Sequence, residues 1–308
     1  MYGAFNKAFE LNYWYGIKCL FPFFSMYLWD SGRWNELKAI GKLTEKLAKE
    51  MNDRVIQIEC NVRETSWVYY MLGDPAKSVR MNEHGLRLAK KIDDKYYIAL
   101  AELSVGKMHQ VTGFLRKSVF YHTSALGFFR KDKIPNYSVQ TLRYLGETYL
   151  LLGDFNKGKK FYLQALRLLR AVNDPRCSAV NSSIIYNCLG AAYLVKGKYS
   201  AAENFFKKSL KIHDNMKSHM YIKACNYIGL GILQELKSNI VKANEYYKKG
   251  IENMNYLSIT AKAQKTIVFF SLLKYSANNK EMNLDNRIFK IKTVQAQYPV
   301  LVQPKQEV

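Results

Sequence analysis

Proline and glycine are scarce in this sequence. Of its 308 residues, 6 are proline and 17 are glycine, fewer than a loop-rich β protein needs for its turns. Hydrophobic residues make up 48% of the chain, which is enough for a large core and excludes global disorder. The composition therefore argues against both a β-rich fold and an unfolded chain.

Cysteine pairs with the spacing of a metal site or a disulfide framework are also missing. The five cysteines are odd in number, widely spaced and contain no CxxC: Cys19, Cys60, Cys177, Cys188 and Cys225. This usage favours free thiols in a reducing compartment, so we predict a cytoplasmic location. The five histidines form neither an HExxH motif nor an i, i+4 pair, and we predict no metal and no cofactor.

Long apolar runs are absent, with one near exception. Tyr13–Trp29 has 17 residues and contains Lys18 and Pro22. Because a helix needs about 20 apolar residues to cross a bilayer, this segment predicts a buried helix, and we expect no integral membrane segment.

Acidic residues are few beside the basic ones. Aspartate and glutamate number 25 against 47 lysines and arginines, giving a net charge of +22. The first 150 residues carry +7 and the remainder +15. Such a charge favours anionic partners, namely nucleic acid, an anionic membrane or an acidic protein face. Because the charge is scattered along the chain, a solvated lysine-rich helix surface is the alternative interpretation.

A repeated phrase is the most informative feature that is present. Residues 144–149 read YLGETY, and residues 188–193 read CLGAAY, 44 positions later. Each phrase is followed by a turn of glycine, a polar residue and an aromatic residue, at 153–155 and 197–199. The glycine of this phrase aligns with five other positions at spacings of 40 to 44, and the full set is Ser25, Ser66, Gly106, Gly146, Gly190 and Gly231. A period of this length predicts a repeat architecture.

Each repeat contains two amphipathic helical stretches joined by a short turn. Leu142, Leu145 and Tyr149 recur at the 3–4 spacing of one helix face, and Tyr162, Ala165 and Leu169 do so in the stretch that follows. One such pair cannot bury its apolar face alone, but stacked neighbours can. The pattern predicts an all-α solenoid of antiparallel helix pairs.

The sequence resembles a tetratricopeptide-repeat protein whose repeats are lengthened to about 40 residues. The residues that fit the family pattern best are Leu142, Leu145, Gly146, Tyr149, Tyr162 and Ala165 in repeat four, and Tyr186, Leu189, Gly190, Tyr193, Ala202 and Phe206 in repeat five. The resemblance implies a right-handed superhelical solenoid of six to seven repeats. We place these repeats in a domain over 1–275, near 11–51, 55–92, 96–131, 136–171, 178–213 and 219–254, with a half repeat at 258–275. Residues 276–308 are expected to form a polar capping helix and a frayed tail.

A finer resemblance comes from the long repeats, from Gly32–Asn35 and from the Asn-Asp and Asp-Asp links between repeats. They are similar to the tetratricopeptide sensor arrays of bacterial signal-transduction NTPases, although this sequence contains no NTPase module.

The nearest match to a catalytic motif in the sequence is an incomplete P-loop. Gly153–Lys160 spells GxxxxGK, but a lysine follows where a P-loop needs serine or threonine, and the segment follows a helix and not a strand. Its glycines are explained by the turn between two helices. We therefore predict that the chain is not an enzyme.

The resemblance also implies a ligand groove, because the first helices of such repeats line a concave face. Transferring the family's contact positions selects Arg63, Trp67, Tyr70, Lys107, Gln110, Arg143, Glu147 and Asn187. Arg63, Lys107 and Arg143 would anchor acidic groups, while Trp67 and Tyr70 would supply apolar contact. This set predicts a non-catalytic scaffold or adaptor, an assembly factor or sensor array, that binds an acidic or amphipathic protein or peptide.

Nucleic-acid binding through a basic surface is the rival function. Seven lysines recur in the second helices of the later repeats, namely Lys157, Lys159, Lys160, Lys207, Lys208, Lys248 and Lys249. They could follow a phosphate backbone, with an affinity that falls steeply as salt rises.

Overall fold

The computed structural model describes residues 2–170, 172–214 and 220–256, and within these ranges every regular element is an α-helix. The helices are α1 Tyr2–Glu10, α2 Trp14–Asp30, α3 Trp34–Glu50, α4 Arg54–Val62, α5 Glu64–Met71, α6 Pro75–Lys91, α7 Lys95–Val111, α8 Leu115–Lys131, α9 Pro135–Leu151, α10 Phe155–Leu169, α11 Pro175–Val195, α12 Tyr199–Asp214, α13 Met220–Leu236 and α14 Ile240–Tyr256. The all-α prediction is confirmed. The half repeat at 258–275 and the tail at 276–308 lie outside the described residues.

The chain divides into two compact units, the first ending at Phe128 and the second beginning at Phe129, inside α8. In the first unit, α2 packs on α3, and α6 packs on α4, α5 and α7. In the second unit, α9 packs on α10, α11 on α12 and α13 on α14. The single domain over 1–275 stays a prediction.

Aspartates begin many of the helices. The carboxylates of Asp53, Asp74, Asp154 and Asp174 each accept a hydrogen bond from the backbone N–H three residues ahead. Since the first N–H groups of a helix have no partner inside it, a side chain of this kind stabilises the helix start. These caps explain why a new helix begins directly after each of these aspartates.

The residue at the repeating glycine position is small because the second helix of the same repeat packs against it. A Cβ added at Gly190 would lie 2.7 Å from the ring of Phe206, and one at Gly231 would lie 2.5 Å from the ring of Tyr247. In repeat two, where Ser66 occupies the position, the second helix presents the smaller Asn82, whose Oδ1 lies 3.5 Å from the Ser66 hydroxyl. The repeating small residue therefore marks a close contact between the two helices in these pairs.

The first helix of repeat two departs from the prediction of one continuous helix. It breaks at Arg63, where the backbone is extended (φ −97, ψ −152). The Ser104 hydroxyl of α7 donates a hydrogen bond to the Val62 carbonyl, which in a continuous helix would accept from the N–H of Ser66. A side chain from the next repeat thus takes over a helical acceptor at the break.

The prediction of a buried helix at Tyr13–Trp29 is correct for one face only. Ile17, Phe21 and Phe24 of α2 are buried, whereas the side chains of Tyr15 and Phe23 are exposed. Among the described residues, no helix is long and apolar enough to cross a membrane.

Candidate functional site

Three of the predicted residues meet on neighbouring first helices of the first unit. The ammonium group of Lys107, on α7, lies 3.4 Å from the ring centroid of Trp67, on α5. The Trp67 ring stacks in turn on Tyr70, with centroids 4.7 Å apart and an angle of 16° between the ring planes. All three side chains are half-buried. A cation over an indole ring forms a cation–π contact, which here fixes a positive charge beside an aromatic surface.

Gln110 lies one helical turn beyond Lys107 and adds an unsatisfied donor. Its side chain is 4% exposed, and its Nε2 has no hydrogen-bond partner among the described residues. Gln110 and Tyr70 both stand four residues after the repeating small position, as Lys107 and Trp67 both stand one residue after it. Gln110 therefore occupies in α7 the repeat position that Tyr70 occupies in α5.

The phenol of Tyr70 is neutral at physiological pH. Burial raises the pKa of Tyr70 to about 12, because an apolar environment disfavours the phenolate. We call Trp67, Tyr70, Lys107 and Gln110 the α5–α7 face.

Arg63 lies at the break between α4 and α5 and is already paired. Its Nη2 lies 3.0 Å from Oε1 of Glu59, whose side chain is buried. This ion pair offsets part of the Arg63 charge, so Arg63 offers less to an acidic ligand than its position predicts. Glu59 was not among the predicted residues, although its i, i+4 spacing from Arg63 was visible in the sequence.

Arg143 and Glu147 belong to the second unit and are buried. They are 7% and 6% exposed, and Arg143 Nη1 lies 3.9 Å from Glu147 Oε2. The guanidinium carbon also lies 4.1 Å from the ring centroid of Tyr144. Burial alone would lower the pKa of Arg143, but Tyr144 and Glu147 outweigh it and raise that pKa above its ordinary value. Arg143 was predicted to anchor a ligand in the groove lined by the first helices, whereas in this structure its side chain is buried beside Glu147 and Tyr144.

Asn187 is also engaged within the second unit. Its Nδ2 donates to Oδ1 of Asn226 at 3.0 Å, and Asn226 Nδ2 donates to the Ser209 hydroxyl at 2.7 Å. Ser209 then donates to the Ser183 carbonyl at 2.7 Å. This buried chain of hydrogen bonds links α11, α12 and α13, and it gives Asn187 a structural role.

The lysines of the rival nucleic-acid hypothesis lie on the second helices of the second unit. Lys160, Lys208, Lys248 and Lys249 are exposed. Others are paired within their helix region: Lys157 Nζ lies 3.3 Å from Asp154 Oδ2, and Lys207 Nζ lies 2.8 Å from Glu203 Oε1. Nucleic-acid binding stays a prediction.

Comparisons with known proteins match one part of the chain to a family model. Residues 137–215 match the family model described as tetratricopeptide repeat. No curated protein sequence matches this chain.

Solved structures with a similar fold include the following three proteins. A Rap protein complexed with competence and sporulation factor is 13% identical, with a TM-score of 0.66, over 94% of this chain and 76% of that protein. NprR in complex with its cognate peptide NprX is 15% identical, with a TM-score of 0.63, over 89% and 76%. BtubC (BKLC) from P. vanneervenii is 14% identical, with a TM-score of 0.54, over 73% and 92%. With the helix pairs and the packed small residues described above, these similarities show that the chain has a tetratricopeptide-like helical repeat fold.

Proposed function

We propose that this protein is a non-catalytic scaffold or adaptor that binds a protein or peptide segment on its α5–α7 face. The observation that carries the proposal is the contact of Lys107 with Trp67, which joins a cation and an aromatic surface from two consecutive first helices. Helix pairs hold such a surface in place before a ligand arrives, so little conformational entropy is lost on binding.

The chemistry of the α5–α7 face indicates an acidic or amphipathic ligand. Lys107 can accept a carboxylate as a partner while Trp67 and Tyr70 contact an apolar side chain. Gln110 is 4% exposed and its Nε2 is buried, so it contributes to the packing of this face and does not contact the ligand.

Two similar structures agree with this proposal at the level of the fold. NprR is described with its cognate peptide, and the Rap protein with competence and sporulation factor. The five cysteines, none of which forms a disulfide, agree with a reducing compartment, and we propose the cytoplasm. The narrower role as a sensor array, as in the bacterial signal-transduction NTPases, rests on the sequence resemblance.

Selection from a random peptide library displayed on phage tests the proposal. The full chain serves as bait, and enriched peptides are measured as synthetic ligands by fluorescence anisotropy. We expect enriched peptides to carry acidic and apolar residues, and Trp67→Ala to weaken their binding by tenfold or more, since truncating a central tryptophan costs about 2 kcal/mol.

Lys107→Glu should weaken the same peptides further, whereas Lys42→Glu on α3 is the matched control. Lys42 is exposed on a second helix, so the same charge change there should alter the dissociation constant less than twofold. Peptides that bind Trp67→Ala as tightly as the wild type would rule out the α5–α7 face as the binding surface.

A further inference from the structure

The outer face of α10 carries a group of cations that the proposed function does not use. A surface cavity of roughly 340 Å³ lies there, lined by Asn156, Lys159, Lys160, Leu163, Gln164 and Arg167. These residues recur at 3–4 spacing along about three turns of one helix. We call them the α10 basic face.

Among the residues that the structure describes, no acidic side chain pairs with Lys160 or Arg167. The cavity lining contains two lysines and an arginine but no aspartate or glutamate, and no ion pair joins Lys160 or Arg167 to an acidic group in the described part of the chain. Some lysines on other second helices are paired within the helix, as Lys49 is with Glu45 and Lys207 with Glu203. Because like charges on one helix face repel each other, a bound anion would stabilise the α10 basic face.

The positions of the side chains limit the form of the anion. Lys160 and Arg167 are exposed and seven residues apart, which corresponds to about 10 Å along a helix. Leu163 lies between them with 41% of its surface exposed. A ligand that fits this order carries two negative charges about 10 Å apart with an apolar group between them.

Neighbouring helices hold the edges of the α10 basic face. Arg130, at the end of α8, donates from Nη2 to Oε1 of Gln164 at 3.1 Å, which brings a fourth cation to this edge. On the other side, Lys159 Nζ lies 5.7 Å from the ring centroid of Tyr193 on α11. Both contacts lie within the second unit.

We propose that the α10 basic face binds an acidic segment of a partner protein, in which two carboxylates contact Lys160 and Arg167 and an apolar side chain packs on Leu163. An arginine guanidinium matches a carboxylate in a bidentate geometry. A central leucine suits a peptide side chain better than a phosphate backbone, because phosphate contacts come from cationic and polar groups. The site is separate from the α5–α7 face, so either proposal can fail without the other.

A defined peptide tests the proposal on the full chain. The probe is a fluorescein-labelled, acetylated peptide in which two glutamates four residues apart flank a leucine midway between them, because alternate residues of an extended chain face the same side and four residues span about 13 Å. We expect Lys160→Glu/Arg167→Glu to raise its dissociation constant at least tenfold and Leu163→Ser to raise it about threefold. At about 150 mM salt, where distant charges are screened, the double variant Lys248→Glu/Lys249→Glu on α14 makes the same charge change on exposed lysines and should alter the dissociation constant less than twofold. The peptide with glutamine in place of glutamate should not bind.

Several results would overturn the proposal. Equal loss of binding in the α10 and α14 double variants would show that overall charge, and not this face, attracts the peptide. Binding of a labelled single-stranded oligonucleotide that is lost in the α10 variant, without comparable peptide binding, would assign the face to nucleic acid. If Lys160→Glu/Arg167→Glu fails to give the helical circular dichroism of the wild type, Lys160→Gln/Arg167→Gln replaces it, and unchanged peptide affinity in that variant would count against the proposal.

Discussion

At the scale of single residues, the size of one side chain per repeat decides how closely two helices approach. Gly106 faces His122 as Gly146 faces Tyr162, with an added Cβ only 2.6 Å from His122 and 2.8 Å from Tyr162. These contacts are shorter than any van der Waals separation, and the partner rings are buried. The glycine is thus required by packing, and the aromatic ring fills the space that its missing side chain leaves.

Gly106→Ala tests this requirement. We expect the free energy of unfolding to fall by about 1–3 kcal/mol, the usual cost of overpacking a well-packed core. Urea denaturation followed by circular dichroism measures the change. Gly127→Ala is the matched control in the same unit, since Gly127 lies inside α8 with nothing within 4 Å of an added Cβ. That control should gain about 0.5–1 kcal/mol from helix propensity, and equal destabilisation of both variants would refute the packing argument.

At the scale of helices, buried polar side chains join elements that the apolar pattern only brings near each other. Asn226 accepts from Asn187 of α11, and donates both to Ser209 of α12 and to the carbonyl of Ile222 in its own helix. Both asparagines are at most 5% exposed. A satisfied network of this kind fixes the register of three helices, because any shift would leave several buried groups unpaired.

A double-mutant cycle on Asn187 and Asn226 tests whether Asn187 is structural. Each single change to alanine should lower the free energy of unfolding by about 1–3 kcal/mol, because it leaves a buried partner unsatisfied. The double variant should lose less than the two single losses combined, with a coupling of about 0.5–3 kcal/mol. Strict additivity would show that the hydrogen bond contributes nothing. A normal stability in Asn187→Ala combined with weaker peptide binding would restore Asn187 to the ligand surface.

The sequence predicted the helices well because their signals are local. The aspartate caps and the turn glycines lie within a few residues of the helix ends that they set, and the repeat period reports a packing contact that recurs within each pair. The break at Arg63 coincides with a hydrogen bond from the hydroxyl of Ser104 to the Val62 carbonyl, and these two residues lie 42 positions apart in the sequence. The burial of Arg143 likewise depends on side chains such as Tyr144 and on the helices packed around it, and no spacing rule in one helix encodes that.

At the scale of the whole molecule, the net charge of +22 attracts anionic ligands over longer distances than the direct contacts at either proposed binding surface. Charges separated by more than about 10 Å are screened at 0.1 M salt, so this field affects the approach of a ligand more than its final contacts. The acidic peptide used to test the α10 basic face should therefore associate faster at low salt, while its dissociation depends on the few residues it touches.

Stopped-flow anisotropy with that peptide separates the two effects. Between about 50 and 500 mM salt we expect the association rate constant to fall by roughly tenfold and the dissociation rate constant to change by less than threefold, since screening weakens distant attraction more than contact. Changing Lys242, Lys248 and Lys249 to glutamine, all exposed on α14, should lower the association rate at low salt and leave dissociation unchanged. If salt instead raises dissociation alone, the attraction resides in contact pairs, and the large net charge of this protein has no steering role.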